Sequence, residues 1–261
     1  MQMTNEVVPQ TITQRDIESG LQQLGLGRSD AVEVHSSLSS FGHVDRGAAT
    51  LVNGLMNVVG EEGALVMSAY PLSPAVPLTL EEEARGMTWK VRKLDPDSTE
   101  KTGLGAVVDE FRQRPDVHFG SGIHRVCAWG RNAHFHTQGY TYLLEIDGWA
   151  LLLGETIHSC SSMHVAERVG LPEEVQKIHR VPDDILADYP EDEWDIGFGT
   201  TPNDAWMTVW EEAERRKLIR HQTIGQAECK LFKANALVTI FEDFLRTDPY
   251  RLYGVERDQK G

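Results

Sequence analysis

The segment Trp149–Leu153 is the feature that most limits how this chain can fold. It reads Trp-Ala-Leu-Leu-Leu and is followed at once by Gly154. A strand so uniformly apolar must be covered on both faces, as in a sheet that carries helices on each side. The sequence therefore predicts a layered α/β fold.

The first third of the chain alternates strand and helix signals in the way such a fold requires. Ala31–Val34 predicts a short strand, and Ser36–Gly42 is a serine-rich loop after it. Ala48–Val59 places apolar residues on one helical face, and Ala64–Ala69 is a second buried strand. We expect a central, mostly mixed β-sheet flanked by helices.

The rest of the chain extends this pattern. Residues 12–24 predict an N-terminal helix, with Thr13 and Asp16 spaced as a capping pair and Gly25 or Gly27 at its end. The other predicted elements are helices over 105–114, 161–169, 204–217 and 231–246, and strands over 126–129 and 149–153.

Two long segments show neither the helical nor the strand periodicity of apolar residues. Residues 71–99 contain prolines and then a polar stretch, which predicts an excursion over the surface, and residues 182–199 are acidic and aromatic without periodicity. No internal repeat or flexible linker is present in the sequence. We therefore expect one compact domain with inserted loops over residues 1–261.

Charge and cysteine content limit the partners. Forty acidic residues against 25 basic ones give a net charge of −15 at pH 7. This surplus repels a phosphate backbone, so we expect no nucleic acid and favour a cationic small molecule, although acidity for solubility alone explains it as well. The three cysteines, the polar N-terminus and the lack of a long apolar run predict a cytoplasmic protein without a membrane span.

Common motifs for nucleotide hydrolysis, serine hydrolases and zinc proteases are absent from the sequence, and Gly103-Leu-Gly105 lacks the third glycine of a dinucleotide fingerprint. Two polar groups at predicted strand ends remain. The first is the loop His35–Gly42, whose backbone N–H groups and hydroxyls suit a phosphate; an ordinary polar turn is the alternative.

The second polar group is Ser161–Glu167, directly after Gly154. On a helix, His164 and Glu167 share a face, so the carboxylate can fix one ring nitrogen and leave the other as a general base. A surface His–Glu pair without function remains the alternative. A metal site would need two further ligands, from His35, His124 or His158.

Six segments follow one another along the chain: Val34–Ser39, Glu62–Met67, Gly103–Pro115, Leu151–Gly154, Ser162–Glu167 and Ile224–Cys229. Their order and spacing resemble those of the aminoglycoside 3-N-acetyltransferase family. The resemblance implies an acetyl-CoA-dependent enzyme, unrelated in fold to the GCN5-type acetyltransferases, that acetylates the 3-amine of a deoxystreptamine ring.

The resemblance also implies roles for individual residues. His164 falls on the family's histidine as the general base, and Glu167 falls on its glutamate partner. The loop implies coenzyme A contacts by His35, Ser36, Ser37, Leu38 and Ser39. Ser162 is a further candidate in the cofactor site, as a hydroxyl donor to the thioester carbonyl. The reaction requires no metal.

This sequence departs from the family pattern in two places. The family's R-S-x-H-P motif reads Ser121-Gly122-Ile123-His124-Arg125, which keeps only the histidine. The stretch 130–151 is also shorter than typical. Both departures concern the range of antibiotics more than the reaction type.

A cationic aminoglycoside is expected to bind to carboxylates on the protein. Residues 181–199 carry seven acidic side chains and three aromatic ones, with no lysine or arginine. Acidic and aromatic groups suit a polycationic sugar, whereas a solvated acidic loop is the alternative. The candidate substrate contacts are Tyr70, Asp183, Asp184 and Glu193.

Three further functions remain open. An N-acetyltransferase of this scaffold could act on another amine, a binding protein could hold coenzyme A or a polyamine without catalysis, and a metal-dependent hydrolase is the third. A homodimer is also expected.

Overall fold

The computed structural model describes residues 11–95, 98–199 and 205–256, and at His179 the backbone alone. Its helices are α1 (Gln14–Leu24), α2 (Ala48–Val59), α3 (Leu80–Ala84), α4 (Ala106–Phe111), α5 (Ala133–His136), α6 (Thr141–Glu145), α7 (Glu173–Gln176), α8 (Asp183–Asp188), α9 (Ala205–Arg215), α10 (Ala234–Thr247) and α11 (Pro249–Leu252). Short 3₁₀ helices cover Leu38–Phe41, Ile157–Ser159, Ser161–Val169 and Lys177–His179.

The strands are β1 (Ala31–Ser36), β2 (Ala64–Ser68), β3 (Met87–Arg92), β4 (His118–Phe119), β5 (Val126–Gly130), β6 (Trp149–Leu153), β7 (Trp194–Phe198), β8 (Arg220–Ile224) and β9 (Ala227–Lys233). Seven of them form one sheet in the order β4-β5-β2-β1-β6-β9-β8. β1 runs parallel to β2 and β6, and the other neighbours are antiparallel. β3 and β7 form a separate antiparallel ribbon.

The sheet is covered on both faces, as the apolar strand predicted. Leu151 and Leu153 of β6 join the core cluster beneath α1, α2 and α4. Ala150 and Leu152 join the cluster on the other face, beneath α6, α9 and α10. This arrangement confirms the predicted fold class, an α/β protein whose mixed sheet is flanked by helices.

Local sequence signals placed several elements correctly. Thr13 caps α1 in a capping box with Asp16, and Gly25 ends the helix with a left-handed φ of 104°. Such a φ is costly for residues other than glycine. α2 has the predicted bounds, Ala48–Val59.

Three predictions of local structure were wrong. The last predicted helix begins at Ala234, because residues 227–233 pair with β6 as strand β9. The predicted surface excursion contains α3 and β3, and the acidic segment contains α8 and β7. β3 and β7 pair although about 100 residues separate them along the chain, and the local periodicity of apolar residues does not reveal such a pairing. The predicted helix start at Asp204 lies outside the described residues.

Within the described ranges, the helices are too short or too polar to cross a membrane.

Candidate active site

Polar residues from three parallel strands meet at one edge of the sheet. β1, β2 and β6 run in the same direction, so their carboxyl ends lie together. The loop after β1 is tied to the end of β6: the Ser37 N–H donates to Leu153 O at 2.9 Å, and the Ser40 hydroxyl donates to Gly154 O at 3.3 Å. The two predicted polar groups therefore occupy the same edge.

Gly154 makes this close approach possible. Its φ is +69°, and a Cβ there would lie 2.4 Å from the Cβ of Ser40. Both the backbone conformation and the contact exclude a larger residue. The glycine after the apolar strand thus lets the serine loop pack directly on the strand end.

A cleft of about 620 Å³ opens beside the loop. Ser36, Ser37, Leu38 and Ser39 line one side, and residues 103–106 line another, with Glu155 at its margin. A larger opening of about 1070 Å³ lies at the opposite edge of the sheet, and none of the predicted site residues lines it. The smaller cleft is therefore the one lined by the predicted coenzyme A loop, and His164 and Glu167 lie outside its lining.

His164 and Glu167 form the predicted pair. His164 Nδ1 lies 3.0 Å from Glu167 Oε2, and the two side chains are 60% and 40% exposed. The segment is a 3₁₀ helix rather than the predicted α-helix, and a spacing of three residues eclipses the two side chains in that geometry. With Nδ1–H donating to the carboxylate, Nε2 has a free lone pair that can accept a proton.

The surroundings favour the protonated imidazole. The hydrogen bond to Glu167 raises the pKa of His164 above its ordinary value of 6.5, and the charges of Glu167 and Glu33 add to this. Partial burial acts in the opposite direction but is the weaker effect. The Trp206 ring packs edge-on against the imidazole at 4.9 Å between centroids and limits its movement.

His35 and Ser162 lie behind the cleft. Ser162 is completely buried, with its hydroxyl 3.4 Å from Cys160 Sγ, which argues against the predicted contact between this hydroxyl and coenzyme A. His35 is largely buried, and its Nε2 lies 2.6 Å from Glu33 Oε1 and 3.3 Å from Ser161 N. Both residues therefore connect strands and turns within the fold.

A second buried hydrogen-bond network joins β2 to Ser161, the first residue of the Ser161–Val169 helix. The Ser68 hydroxyl lies 2.7 Å from Tyr140 OH and 2.8 Å from Ser161 Oγ. Burial raises the pKa of Tyr140 well above its usual range, so its phenol stays protonated. Tyr70, a predicted substrate contact, follows β2 and packs edge-on against His124 at 5.3 Å.

The acidic segment is partly neutralised by a distant part of the chain. Arg85 pairs with Asp184 at 3.2 Å and with Asp188 at 2.7 Å. The segment itself contains no lysine or arginine, but Arg85 from outside it neutralises Asp184, a predicted substrate contact, and Asp188. Asp183 and Glu193 are exposed, and neither forms an ion pair with another described residue.

A buried polar cluster also joins residues 71–99 to the acidic segment. Glu82 accepts hydrogen bonds from Lys90 and Tyr189, which lower the pKa of its carboxyl to about 2. Tyr189 also packs edge-on against Trp194, with 5.5 Å between ring centroids. These contacts fix α8 and β7 against α3 and β3.

One set of side chains in the described part of the chain has metal-ligating atoms close together: Glu33, His35 and Cys160, all within 4.8 Å. Backbone amides already point at two of these atoms, from Ser162 to Glu33 at 3.0 Å and from Ser161 to His35 at 3.3 Å. A cation would face those N–H groups. The donors present therefore suit hydrogen bonding better than metal coordination.

Sequence reasoning missed Glu33, Ser68, Tyr140 and Trp206. For Glu33 the signal was available, because a single carboxylate interrupts the apolar strand Ala31-Val-Glu-Val34. Buried carboxylates are rare without a partner. The other three give no local signal, since their relevance depends on which elements pack together.

The family comparison agrees with this geometry. The family model described as aminoglycoside 3-N-acetyltransferase matches residues 34–246, which include the end of β1, the serine loop and the His164–Glu167 pair. The chain belongs to the aminoglycoside 3-N-acetyltransferase family. Its predicted class, an acyltransferase, is thereby confirmed.

Among sequence relatives, the aminoglycoside N(3')-acetyltransferase-like protein YokD of Bacillus subtilis (strain 168) is 28% identical over 266 aligned residues, covering 90% of this chain and 93% of YokD. Aminoglycoside N(3)-acetyltransferase III of Salmonella sp is 26% identical, covering 89% of this chain and 91% of its own length. The similarity therefore extends over nearly the whole of each family member.

Two solved structures share the fold. A mutant of the aminoglycoside acetyltransferase AAC(3)-IVa in complex with a gentamicin has a TM-score of 0.69 at 19% identity, covering 96% of each chain. The AAC-IIIb binary complex with CoASH has a TM-score of 0.66 at 19% identity, covering 95% of this chain and all of the other.

Proposed function

We propose that this family member transfers an acetyl group from acetyl-CoA to the 3-amine of the 2-deoxystreptamine ring of aminoglycosides. The observation that carries the proposal is the His164–Glu167 pair, with the lone pair of Nε2 free, at the sheet edge that also bears the serine-lined cleft. The CoASH and gentamicin complexes of the two structural neighbours support the two substrates.

In this proposal His164 is the general base. The amine nitrogen attacks the thioester carbonyl while Nε2 takes the proton that the nitrogen loses, and the C–S bond then breaks. The proton on Nε2 is available for the departing thiolate. Glu167 holds the ring in the required tautomer and stabilises the imidazolium that forms.

Acetyl-CoA is assigned to the cleft lined by Ser36, Ser37, Leu38 and Ser39. Backbone N–H groups and hydroxyls of the loop are suited to the anionic cofactor and to the oxyanion that develops on the carbonyl. Among the described residues that line this cleft, none is a lysine or arginine. The backbone and the hydroxyls therefore have to provide most of the binding there.

A panel of amines tests the function. Aminoglycosides with a free 3-amine should release free thiol from acetyl-CoA and gain the mass of one acetyl group at that nitrogen. Analogues in which the 3-amine is blocked should do neither. Acetylation of an unrelated amine only would indicate another substrate on the same scaffold, and absence of thiol release with any amine would indicate a binding protein. Inhibition by a chelator would favour the hydrolase.

The acidic segment is the proposed contact for the cationic sugar, together with Tyr70. Asp183 and Glu193 remain available because Arg85 engages Asp184 but neither of these two. Exposed ion pairs are screened by salt. The contribution of each carboxylate should therefore be modest and depend on ionic strength.

We expect the double variant Asp183→Asn/Glu193→Gln to raise the KM for an aminoglycoside roughly three- to tenfold at low salt, as the loss of two exposed pairs implies. The KM for acetyl-CoA should stay unchanged, and the difference should shrink at high salt. Steady-state kinetics at two ionic strengths measures this.

The matched control is Glu61→Gln/Glu62→Gln, which removes the same charge at the opposite edge of the sheet. Equal effects of the two double variants would mean that net charge, rather than a local contact, attracts the substrate.

A further inference from the structure

Glu33 is a carboxylate where an apolar residue would normally lie. It occupies the middle of β1, is 0% exposed, and lies in register between Val66 of β2 and Ala150 of β6. Both neighbours belong to the apolar cluster on that face of the sheet. Burying a carboxyl group there is unfavourable unless its hydrogen bonds compensate.

Glu33 contacts the beginning of the Ser161–Val169 helix, which carries His164. Glu33 Oε1 accepts the Ser162 N–H at 3.0 Å and lies 2.6 Å from His35 Nε2, which in turn faces Ser161 N at 3.3 Å. Its second oxygen has no hydrogen-bond partner among the described residues. The carboxylate and the imidazole together thus face two consecutive amides.

Those two amides belong to the first residues of the Ser161–Val169 helix. The opening N–H groups of any helix have no partner within the helix and need a cap. Cys160, at the N-cap position, makes no side-chain cap hydrogen bond. Glu33 therefore supplies from β1, through the Ser162 N–H, the cap that the local sequence lacks, and His35 lies beside it.

We propose that Glu33 is a positioning residue that fixes His164 relative to the coenzyme A loop. β1 continues directly into Ser36–Ser39, and Glu33 ties the same strand to the helix two residues before His164. One strand thereby sets the distance between the proposed base and the thioester. The inference rests on the proposed role of His164.

The physical reason for such a tie is the sensitivity of proton transfer to geometry. A misplacement of about 1 Å costs on the order of 10²-fold in rate. Met163 and Ala166 hold the His164 helix against the apolar cluster, but its first N–H groups have no partner within the helix. The buried carboxylate fixes that first turn, from which His164 follows two residues later.

Two substitutions separate position from charge. In Glu33→Gln one side-chain oxygen remains, and it can keep both contacts, because Oε1 alone lies against the Ser162 N–H and His35 Nε2. Glu33→Met keeps a long unbranched side chain but removes both hydrogen bonds. We expect Glu33→Met to lower kcat roughly 10- to 100-fold with little change in the KM for acetyl-CoA, and Glu33→Gln to keep kcat within about threefold.

Hydrogen exchange reports on the anchor without any turnover. The Ser162 amide should exchange slowly in the native enzyme and in Glu33→Gln, and much faster in Glu33→Met. Fast exchange of this amide in the native enzyme would overturn the proposal even if no variant folds. Thr50→Val is the control, since Thr50 is a buried polar residue of α2 on the other face of the sheet, and it should leave kcat and the Ser162 amide unchanged.

The remaining outcomes are decisive in either direction. Wild-type kcat in folded Glu33→Met overturns the proposal, as does an equal loss in Glu33→Gln and Glu33→Met, and so does a stoichiometric zinc ion bound through Glu33. In the His164→Ala background, Glu33→Met should cause no further loss, because the two act as one unit. Full activity of His164→Ala would instead refute the proposed role of His164 as the base, while the exchange experiment would still test the anchor and the amine panel would still test the function.

Discussion

Replacing His164 by alanine should lower kcat roughly 10²- to 10⁴-fold, the usual contribution of positioned proton transfer. Acetyl-CoA binding and the melting temperature should change little, because the side chain is 60% exposed and lies outside the residues lining the serine cleft. Steady-state kinetics together with acetyl-CoA titration and thermal unfolding measure these three quantities.

The fold provides a matched control in His221→Ala. His221 is also an exposed histidine, paired with Glu214 at 2.9 Å and packed edge-on against Trp210, but it lies on the edge strand β8. We expect its removal to leave kcat unchanged. Near wild-type turnover in His164→Ala would assign the pair a structural role, and His35 or His124 would become the candidate base.

The pH profile gives the same variants a second readout. The base must be neutral, so kcat should rise with pH through the pKa of His164, which the Glu167 hydrogen bond places above 6.5. Glu167→Gln removes that charge, so the rising limb should move to lower pH. The limb should be absent in His164→Ala; a limb that persists there reports ionisation of the substrate amine.

The second large effect is expected at Ser37. Ser37→Asp places a carboxylate among the residues that line the cleft, next to Ser39, whose hydroxyl is 3.3 Å away. A like charge close to the anionic cofactor should weaken acetyl-CoA binding roughly 10- to 100-fold. Ser37→Ala removes a neutral hydroxyl and should weaken it by about tenfold at most. Isothermal titration of acetyl-CoA measures both.

Ser19→Asp controls for the added charge. Ser19 is an exposed residue of α1, away from the cleft, and the same substitution there should leave acetyl-CoA affinity unchanged. If Ser37→Asp binds acetyl-CoA as tightly as the native enzyme, the cofactor occupies a different part of the sheet edge.

The sequence by itself was sufficient wherever contacts are local. The capping box at Thr13, the bounds of α2 and the pairing of His164 with Glu167 all depend on residues at most four positions apart or on the helical period. The buried strand of β6 was equally clear, because burial on both faces leaves no polar residue in it. These signals were enough to predict the layered fold class.

The tertiary structure decided everything that depends on distant segments. Arg85 neutralises Asp184 from 99 residues away, so the acidic segment differs from what its own composition predicted. Glu33 caps a helix whose Ser162 amide lies 129 residues further along the chain, and Ser162 is buried rather than open to the cleft. Hydrogen bonds and burial of this kind follow from the order of strands in the sheet. Many contacts between distant segments together set the free energy of that order. The local pattern of one segment does not reveal which segment it will contact.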